Sequence, residues 1–306
     1  MSTPRVSIVL PVHNGSRYLS EAIESIRAQT DRAWELIIVD DASTDNTSAI
    51  AAAACQADER IGALRHDRNR RLPGALNTGL RAARGEYLTW TSDDNLYEPN
   101  AVKTLVRVLD ERADADIVYS DYTVINAEGG EVTRQAVGAV EDLADRNCIG
   151  ACFLFRRSVY KALGGYDESL FLVEDYDFWL RAARRFRFVP LHEDLYRYRR
   201  HAASLTDQRR DEIARDTDRL LERRIAGLRS IPRERRAAAL IAVAERHRCR
   251  GDQRAVRRVF WKALACAPRA VWRDERSVPL AAIVAGYRIA SLFNRLRRKN
   301  AGVYEA

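Results

Sequence analysis

Several features that mark particular protein classes are scarce in this sequence of 306 residues. Its five cysteines are odd in number and scattered, and only Cys148 and Cys152 lie close together. No second pair has the spacing of a zinc site, so we interpret these two as small buried residues. Scattered free thiols are typical of a reducing cytosol. The sequence predicts neither a disulfide scaffold nor a structural zinc site.

Other signals are also missing. Residues 1–5 lead directly into a predicted strand, so we expect no signal peptide. No glycine-rich phosphate loop follows that strand, which disfavours a kinase, an ATPase or a nucleotidyltransferase. The apolar stretch 278–293 is too short to span a bilayer, and Arg288 interrupts it. We therefore expect a cytoplasmic protein.

Charge divides the chain unequally. Residues 1–204 have 26 Lys and Arg against 31 Asp and Glu, whereas residues 205–306 have 25 against 12. This change predicts a domain boundary near Ser204, with a basic, helical extension over 205–306. The arginines of the extension are spread around helices with few aromatic residues between them, so we do not expect a nucleic-acid partner.

The end of the extension has two interpretations. Residues 278–293 are apolar on one side and precede the basic run 295–299. Such a segment would lie on an anionic membrane surface through residues 278–299, placing the protein peripherally at the inner face of the membrane. An ordinary docked helix with a solvated basic end explains the pattern equally well.

The first two-thirds of the chain alternates between strand and helix. Apolar runs at 6–11, 35–39, 61–66, 86–91 and 116–119 read as buried strands, and helical periodicity fills the intervals. This alternation predicts an α/β domain whose sheet is mostly parallel, with helices on both faces. We expect this domain to have two halves, over about 1–120 and about 121–204.

Acidic clusters follow the predicted strands. Asp40 and Asp41 follow the second strand, Asp93 and Asp94 the fourth, and a third cluster occupies residues 174–177 (Glu-Asp-Tyr-Asp). Adjacent like charges repel and are costly to bury, and at the carboxyl ends of such strands a ligand or metal ion usually compensates them. The three clusters predict a site for a metal ion and a charged substrate.

The ordered motifs resemble those of the family 2 inverting glycosyltransferases, which have the GT-A fold. They are residues 7–14 (Ser-Ile-Val-Leu-Pro-Val-His-Asn), 38–45 (Ile-Val-Asp-Asp-Ala-Ser-Thr-Asp), 91–94 (Thr-Ser-Asp-Asp), 174–177 and 198–204 (Tyr-Arg-Arg-His-Ala-Ala-Ser). The resemblance covers roughly residues 4–204. It implies a single-sugar, hexosyltransferase-type enzyme that uses a nucleotide-diphosphate sugar, with a UDP-sugar favoured.

The resemblance also implies roles for individual residues. The base-and-ribose loop corresponds to Pro11, Val12, His13 and Asn14, with His13 in place of the usual aromatic residue. Asp41 matches the acceptor for a base imide, which uracil, thymine and guanine all supply. Asp40 either shares this role or braces the loop.

Further positions of the resemblance face the diphosphate. One of Arg68, Arg70 and Arg71 matches a cation against the nucleotide, and we favour Arg71 because it is nearest to a helix N-terminus. Asp93 corresponds to a ribose contact or a support of the metal ligands.

Asp94 matches a ligand of Mn²⁺ or Mg²⁺. His201 is either a second ligand, to the metal ion or the diphosphate, or a structural histidine.

Asp175 matches the catalytic base, and Glu174 is expected to orient the acceptor. The resemblance implies an acceptor hydroxyl on a glycan, a lipid-linked glycan or a small molecule, as in the synthesis of surface polysaccharide or glycolipid. The alternatives are a non-catalytic nucleotide-sugar-binding or scaffold relative and, less favoured, a sugar nucleotidyltransferase.

Overall fold

A computed structural model describes residues 3–285 of the chain. Residues 286–299 of the predicted membrane segment lie outside this part. The described strands are β1 Val6–Val12, β2 Trp34–Asp40, β3 Ile61–Arg65, β4 Tyr87–Trp90, β5 Leu96–Tyr97, β6 Ile117–Ile125, β7 Glu131–Gln135, β8 Cys152–Arg156 and β9 Phe188–Arg199. The described helices are α1 Leu19–Arg27, α2 Thr47–Ala57, α3 Arg71–Ala82, α4 Ala101–Glu111, α5 Arg157–Leu163, α6 Glu174–Ala182, α7 Leu205–Gln208, α8 Arg210–Arg224, α9 Arg233–Cys249, α10 Gln253–Cys266, α11 Pro268–Arg273 and α12 Ser277–Ala285.

All nine strands form one sheet, in the order β3-β2-β1-β4-β8-β6-β9-β5 with β7 paired to β6. The predicted alternation of strands and helices is confirmed. The first four strands are parallel, as expected, whereas β8 runs antiparallel to both β4 and β6. The carboxyl ends of β1 to β4 therefore meet at one edge, where the loops that carry the first two acidic pairs begin.

The first two strands form the centre of the core. Every residue of β1 and β2 is buried, because helices pack over both faces of this part of the sheet. Full burial of each Val, Leu or Ile side chain contributes about 1.5–3 kcal/mol. Ser7 and Glu35 are polar within these strands but satisfied: the Ser7 hydroxyl donates to Glu35 at 2.6 Å, and the backbone N–H of Arg84 donates to Glu35 at 2.7 Å.

Helix α3 packs closely on these two strands through Gly79. A Cβ atom at this position would lie 2.4 Å from Cγ1 of Val9 and 3.1 Å from Cγ2 of Val39. Only glycine leaves room for the helix at this distance. The helix begins at Arg71, directly after the loop 66–70, so this packing positions that loop against the sheet.

The region after β4 differs from the sequence prediction in one strand. The apolar runs at 188–191 and 195–198 predict two short strands, but β9 is continuous from Phe188 to Arg199. Its register against β6 shifts between the pairs Ser120–Leu191 and Asp121–Asp194. The exposed His192 and Glu193 therefore form a bulge, which the sequence analysis took as the end of a strand.

The described residues fall into two compact units, residues 3–140 with 147–210, and residues 141–146 with 211–285. The second unit is helical. The sequence pattern predicts one helix over 208–228, and the structure has α8 followed by the 3-10 turn Ile225–Gly227 in this range. Two carboxylates of α8 are buried with cationic partners: Asp218 pairs with Arg246 at 2.6 Å, and Glu222 pairs with Lys262 at 3.0 Å. Among the described residues, no helix is long and apolar enough to cross a membrane.

Candidate active site

The loop after β1 is fixed by hydrogen bonds to the loop after β2. Pro11 and Val12 are buried as the last residues of β1, and His13 follows them at the surface. The His13 Nδ1–H donates to the backbone carbonyl of Asp41 at 2.8 Å. This bond holds the imidazole beside the position where the sequence analysis expects a base.

Asn14 closes this loop. Its φ of 56° lies in the left-handed region, which asparagine tolerates better than most residues. Its side-chain oxygen accepts from the backbone N–H of Thr44 at 2.8 Å, and its own N–H donates to the Ser43 hydroxyl at 2.9 Å. Asn14 therefore joins the loops after β1 and β2, and its side-chain oxygen is already engaged.

Asp40 is a brace of the second loop. It is buried and accepts from the backbone N–H of Ser43 at 2.8 Å, from the Ser48 hydroxyl and from Arg65. Burial alone would raise the pKa of Asp40, but these hydrogen bonds outweigh it and lower the pKa below its ordinary value. Of the two roles left open by the sequence, the contacts favour bracing.

Asp41 has a different set of partners. Its Oδ1 accepts from the backbone N–H of Arg70 at 2.8 Å and from Nδ1 of His66 at 2.7 Å. The other ring nitrogen of His66 lies 3.0 Å from the Thr78 hydroxyl. No hydrogen bond from a described residue reaches Oδ2 of Asp41.

The three arginines after β3 have separate environments. Arg68 is exposed, and Arg70 donates to Glu168 at 3.2 Å. The guanidinium carbon of Arg71 lies 5.2 Å from the ring centroid of Phe171, and Arg71 has a φ of 63°. A positive φ in a non-glycine residue is a strained conformation that clusters at functional sites. Arg71 therefore stays our choice for the nucleotide contact.

Asp93 lies against the loop after β1. A Cβ on Gly15 would be 1.8 Å from Oδ2 of Asp93. Burial, with a smaller effect from the neighbouring Asp94, raises the pKa of Asp93 to about 7. The structure thus brings the loops after β1, β2 and β4 to one edge of the sheet.

Asp94 has one satisfied oxygen and one unsatisfied oxygen. Oδ2 lies 3.1 Å from Nε2 of His201, whereas Oδ1 is buried and has no hydrogen-bond partner among residues 3–285. Burial raises the pKa of Asp94, and the contact with His201 opposes it only in part. An unsatisfied buried carboxylate oxygen is costly, and binding of a cation there would offset this cost.

Arg199 supports this pair, and the sequence analysis missed it. Its side chain is 2% exposed, and it donates to the backbone carbonyl of Asp94 at 2.9 Å and to Glu21 at 2.7 Å. The guanidinium lies 4.6 Å from the ring centroid of Tyr18, whose ring is 5.1 Å from that of His201. Arg199 therefore holds Asp94 and, through Tyr18, the imidazole.

The carboxylate and imidazole partly match the needs of Mn²⁺ or Mg²⁺. Carboxylate oxygens suit both ions, and a neutral imidazole is a good ligand for Mn²⁺. In the described part of the chain, no group of three or more His, Cys, Asp or Glu side chains is arranged to hold a metal ion. Asp94 and His201 therefore fit an ion whose remaining ligands come from phosphate oxygens and water, as in many Mg²⁺–nucleotide sites.

The third acidic cluster opens helix α6. Glu174 is buried, and its Oε2 has no hydrogen-bond partner in the part of the chain that the structure describes. Asp175 is partly buried and accepts from the side-chain amide of Asn147 at 2.8 Å. Burial raises the pKa of both carboxyl groups, and the charge of Asp175 raises that of Glu174 further. The helix N-terminus favours their charged forms, but desolvation is the larger effect.

Aromatic residues connect this cluster with β4. The Trp90 indole N–H, at the end of β4, donates to the Tyr166 hydroxyl at 2.8 Å. The ring of Tyr166 stacks on that of Phe178 in α6, with 4.6 Å between the ring centroids. Gly165, with a φ of 88°, permits the approach of Asn77, which bonds both backbone polar groups of Tyr166 at 2.9 Å. By contrast, Asp177 is fully buried and bonded to Arg181, which is a structural role.

The chain matches the profile described as Glycosyl transferase family 2 over residues 7–164. It belongs to that family. An uncharacterized glycosyltransferase of Rickettsia typhi is 32% identical over 216 residues, which cover 67% of each chain. The glycosyltransferase GlyG of Streptococcus pneumoniae is 34% identical over 142 residues, or 45% of this chain and 47% of that one. A glycosyltransferase of Rickettsia felis is 31% identical over 204 residues, 62% of this chain but only 33% of its own length.

Solved structures show the same fold. TarS 1–349 of S. aureus in complex with UDP-GlcNAc superposes with a TM-score of 0.68 at 16% identity, over 95% of this chain and 92% of that chain. The mannosyltransferase PcManGT of Pyrobaculum calidifontis, in complex with GDP-Man and Mn²⁺, gives a TM-score of 0.53 at 18% identity, over 98% and 85%. The GT-A fold of family 2 expected from the sequence is confirmed, including its helical C-terminal part.

The family 2 profile ends at residue 164, before Asp175 and His201. The assignments of these two residues, and of the nucleotide and metal residues, stay predictions. Three supporting residues were missed, namely His66, Asn147 and Arg199. For His66 the sequence did contain a signal, since it directly follows β3, which is parallel to β2, and therefore lies at the same sheet edge as Asp41.

Proposed function

We propose that this family 2 member transfers a single hexosyl group from a nucleotide-diphosphate sugar, with a UDP-sugar favoured, to an acceptor hydroxyl with inversion. The observation that carries the proposal is the buried, unsatisfied Oδ1 of Asp94 beside His201. The cation of a metal–diphosphate complex would offset the cost of burying this oxygen. Neighbours of the same fold are complexed with UDP, UDP-GlcNAc and GDP-Man.

The donor would lie along the edge formed by the loops after β1, β2 and β4. His13 and Asn14 border the base and ribose, and Asp41 offers a carboxylate oxygen to a base imide. Asp93 faces the ribose, and Arg71 at the start of α3 adds positive charge near the diphosphate. When bound at Asp94 and His201, a Mn²⁺ or Mg²⁺ ion would offset the negative charge that develops on the departing diphosphate.

The chemical step needs a base on the acceptor side. We assign this role to Asp175, whose carboxylate would take the proton of the acceptor hydroxyl as the oxygen attacks the anomeric carbon. Burial raises the pKa of Asp175, which makes the carboxylate a stronger base than an exposed aspartate. Asn147 donates to one oxygen of Asp175 and orients the group. Burial raises the pKa of Glu174, which favours its protonated form, and this carboxyl group would donate a hydrogen bond to a sugar hydroxyl from its buried end at Oε2.

We propose a glycan, a lipid-linked glycan or a small molecule as the acceptor. We also propose that the protein binds the acceptor at the surface of an anionic membrane, and helix α10 supports this membrane contact. Arg254, Arg257 and Trp261 are spaced to share one face of this helix, all three are exposed, and α10 contains no acidic residue. Cations combined with an exposed tryptophan suit a lipid headgroup region.

The proposal is tested with purified protein, UDP and Mn²⁺. UDP should raise the melting temperature of the wild type only when Mn²⁺ is present, because a ligand that binds the folded state stabilises it. Asp94→Ala should remove this shift. The matched control is Asp114→Ala, which changes an aspartate that is half exposed on the surface.

Either of two results would contradict the proposal. One is a wild type that shows no shift with any nucleoside diphosphate, which would favour a non-catalytic scaffold relative. The other is an Asp94→Ala variant that keeps the full metal-dependent shift, which would place the metal ion elsewhere.

A further inference from the structure

Asp41 and His66 form a polar pair at the end of β2 and β3. Both side chains are nearly buried, with exposed fractions of 4% and 9%. An ionised carboxylate only accepts hydrogen bonds, so the ring nitrogen Nδ1 of His66, 2.7 Å from Oδ1 of Asp41, carries a hydrogen and donates it. The Thr78 hydroxyl, 3.0 Å from Nε2, fixes the other end of the ring.

Oδ1 of Asp41 has a second donor, the backbone N–H of Arg70 at 2.8 Å. Two donors use both lone pairs of this oxygen. Oδ2 receives no hydrogen bond from the residues that the structure describes. The pair therefore presents one acceptor atom to a ligand, although the group is a carboxylate with two oxygens.

The number of acceptor atoms distinguishes the bases. Uracil and thymine have one N–H on their pairing edge, flanked by two carbonyl oxygens, and one carboxylate oxygen satisfies it. Guanine has an N–H and an amino group side by side, and both oxygens of a carboxylate are needed to pair with them. Cytosine and adenine present a ring nitrogen that is itself an acceptor and would be repelled.

We propose that His66 is a specificity-determining, positioning residue: by occupying Oδ1 of Asp41 it leaves a single acceptor and so selects a uracil or thymine nucleotide against guanine. This inference rests on the proposed function, because it assumes that Asp41 faces the base. It also separates guanine from uracil and thymine, the other two imide-bearing bases that the sequence left open. A buried donor of guanine would stay unpaired in this site, which costs about tenfold or more in affinity.

The test measures dissociation constants for UDP, dTDP and GDP with Mn²⁺, by calorimetry, for the wild type and two variants. His66→Phe keeps a ring but removes one of the two donors to Oδ1, so one lone pair of Oδ1, beside the Arg70 N–H, becomes available to guanine. We expect the ratio of GDP to UDP dissociation constants to fall by about tenfold or more in this variant. His66→Asn keeps an N–H₂ group at the position of Nδ1 and should retain most of the wild-type ratio.

Two controls separate selectivity from folding. His192→Phe makes the same substitution at an exposed histidine in the β9 bulge and should leave both constants unchanged. The ratio is compared only among proteins with a cooperative melting transition without ligand. If His66→Phe does not fold, the role of His66 is tested by comparing His66→Asn with Thr78→Val. Loss of the Thr78 contact frees the ring and should lower the ratio of GDP to UDP dissociation constants, whereas His66→Asn should not lower it.

The outcomes are distinct. A wild type that binds UDP and dTDP at least about tenfold more tightly than GDP, with the preference reduced in His66→Phe, supports the inference. Equal affinity for UDP and GDP in the wild type, or an unchanged ratio in His66→Phe, overturns it while the proposed function stands. Absence of binding by any of the three nucleotides overturns both.

Discussion

Gly15 gives the most direct test that the acidic pair after β4 belongs to the nucleotide site. A Cβ at this position would lie 1.8 Å from Oδ2 of Asp93, 2.7 Å from its Cγ and 2.6 Å from Cγ2 of Val12. Non-bonded atoms of this kind do not approach closer than about 3 Å, so Gly15→Ala must displace the Asp93 carboxylate by more than about 1 Å.

The expected magnitude follows from this displacement. A displacement of this size would break a hydrogen bond between the carboxylate and a bound nucleotide, and a hydrogen bond to a charged group contributes about 1.5–3 kcal/mol. We therefore expect Gly15→Ala to weaken UDP binding by about 10- to 100-fold, which corresponds to about 1.4–2.7 kcal/mol. The unliganded protein should keep its fold, because the affected carboxylate lies at a loop and not in the core.

The assay is calorimetric titration of UDP with Mn²⁺ into four proteins: the wild type, Gly15→Ala, Asp93→Ala and the double variant. If the methyl group acts only by displacing Asp93, the double variant should bind like Asp93→Ala alone. Gly62→Ala is the matched control, since no atom lies within 4 Å of its added Cβ. Wild-type affinity for UDP in Gly15→Ala, or strictly additive losses of affinity in the double variant, would show that the added methyl group does not act by displacing Asp93 from the nucleotide site.

Three further predictions concern stability and membrane binding. The pKa of Glu174 is raised in the folded protein, so this group contributes stability that is complete below its ordinary pKa of about 4.3 and is lost as pH rises through its pKa in the folded state. Glu174→Gln should therefore flatten the fall in the free energy of urea unfolding between about pH 5 and 9. An unchanged dependence of this free energy on pH would contradict the raised pKa. Gly79→Ala should destabilise the protein by about 1–2 kcal/mol in urea, because overpacking costs about 1–3 kcal/mol and the higher helix propensity of alanine offsets about 1 kcal/mol. Combining it with Val9→Ala should relieve part of this loss. If the effects of the two substitutions on the free energy of unfolding are fully additive, the clash with Val9 is not the cause. Trp261→Ala should reduce co-sedimentation with anionic phospholipid vesicles, and equal binding of variant and wild type would exclude the α10 face.

The parts of the structure that were predicted from sequence depend on local pattern. Residues 6–12 and 34–40 are buried along their whole length, so their apolar runs marked them as central strands. The acidic pairs follow strands that end at one edge, which is a consequence of parallel pairing. Their convergence could therefore be anticipated before any contact was known.

The supporting contacts could not be predicted in the same way. Asn147 reaches Asp175 across 28 residues, and Arg199 reaches the Asp94 carbonyl across 105. These contacts depend on the pairing of β8 and β9 with distant strands, which no local pattern encodes. Strand β9 itself was divided in the prediction because a polar bulge and a strand end look alike in sequence.

The central claim is that Asp175 is the base of a sugar transfer from a nucleotide-diphosphate donor. The most direct measurement is UDP release from a panel of UDP-sugars with Mn²⁺, with water as a surrogate acceptor, by the wild type and Asp175→Asn. We expect Asp175→Asn to bind UDP with wild-type affinity but to release UDP from the UDP-sugars at least about a hundredfold more slowly than the wild type. Asp114→Asn should behave like the wild type. Release at a near-normal rate by Asp175→Asn would contradict the assignment of the base.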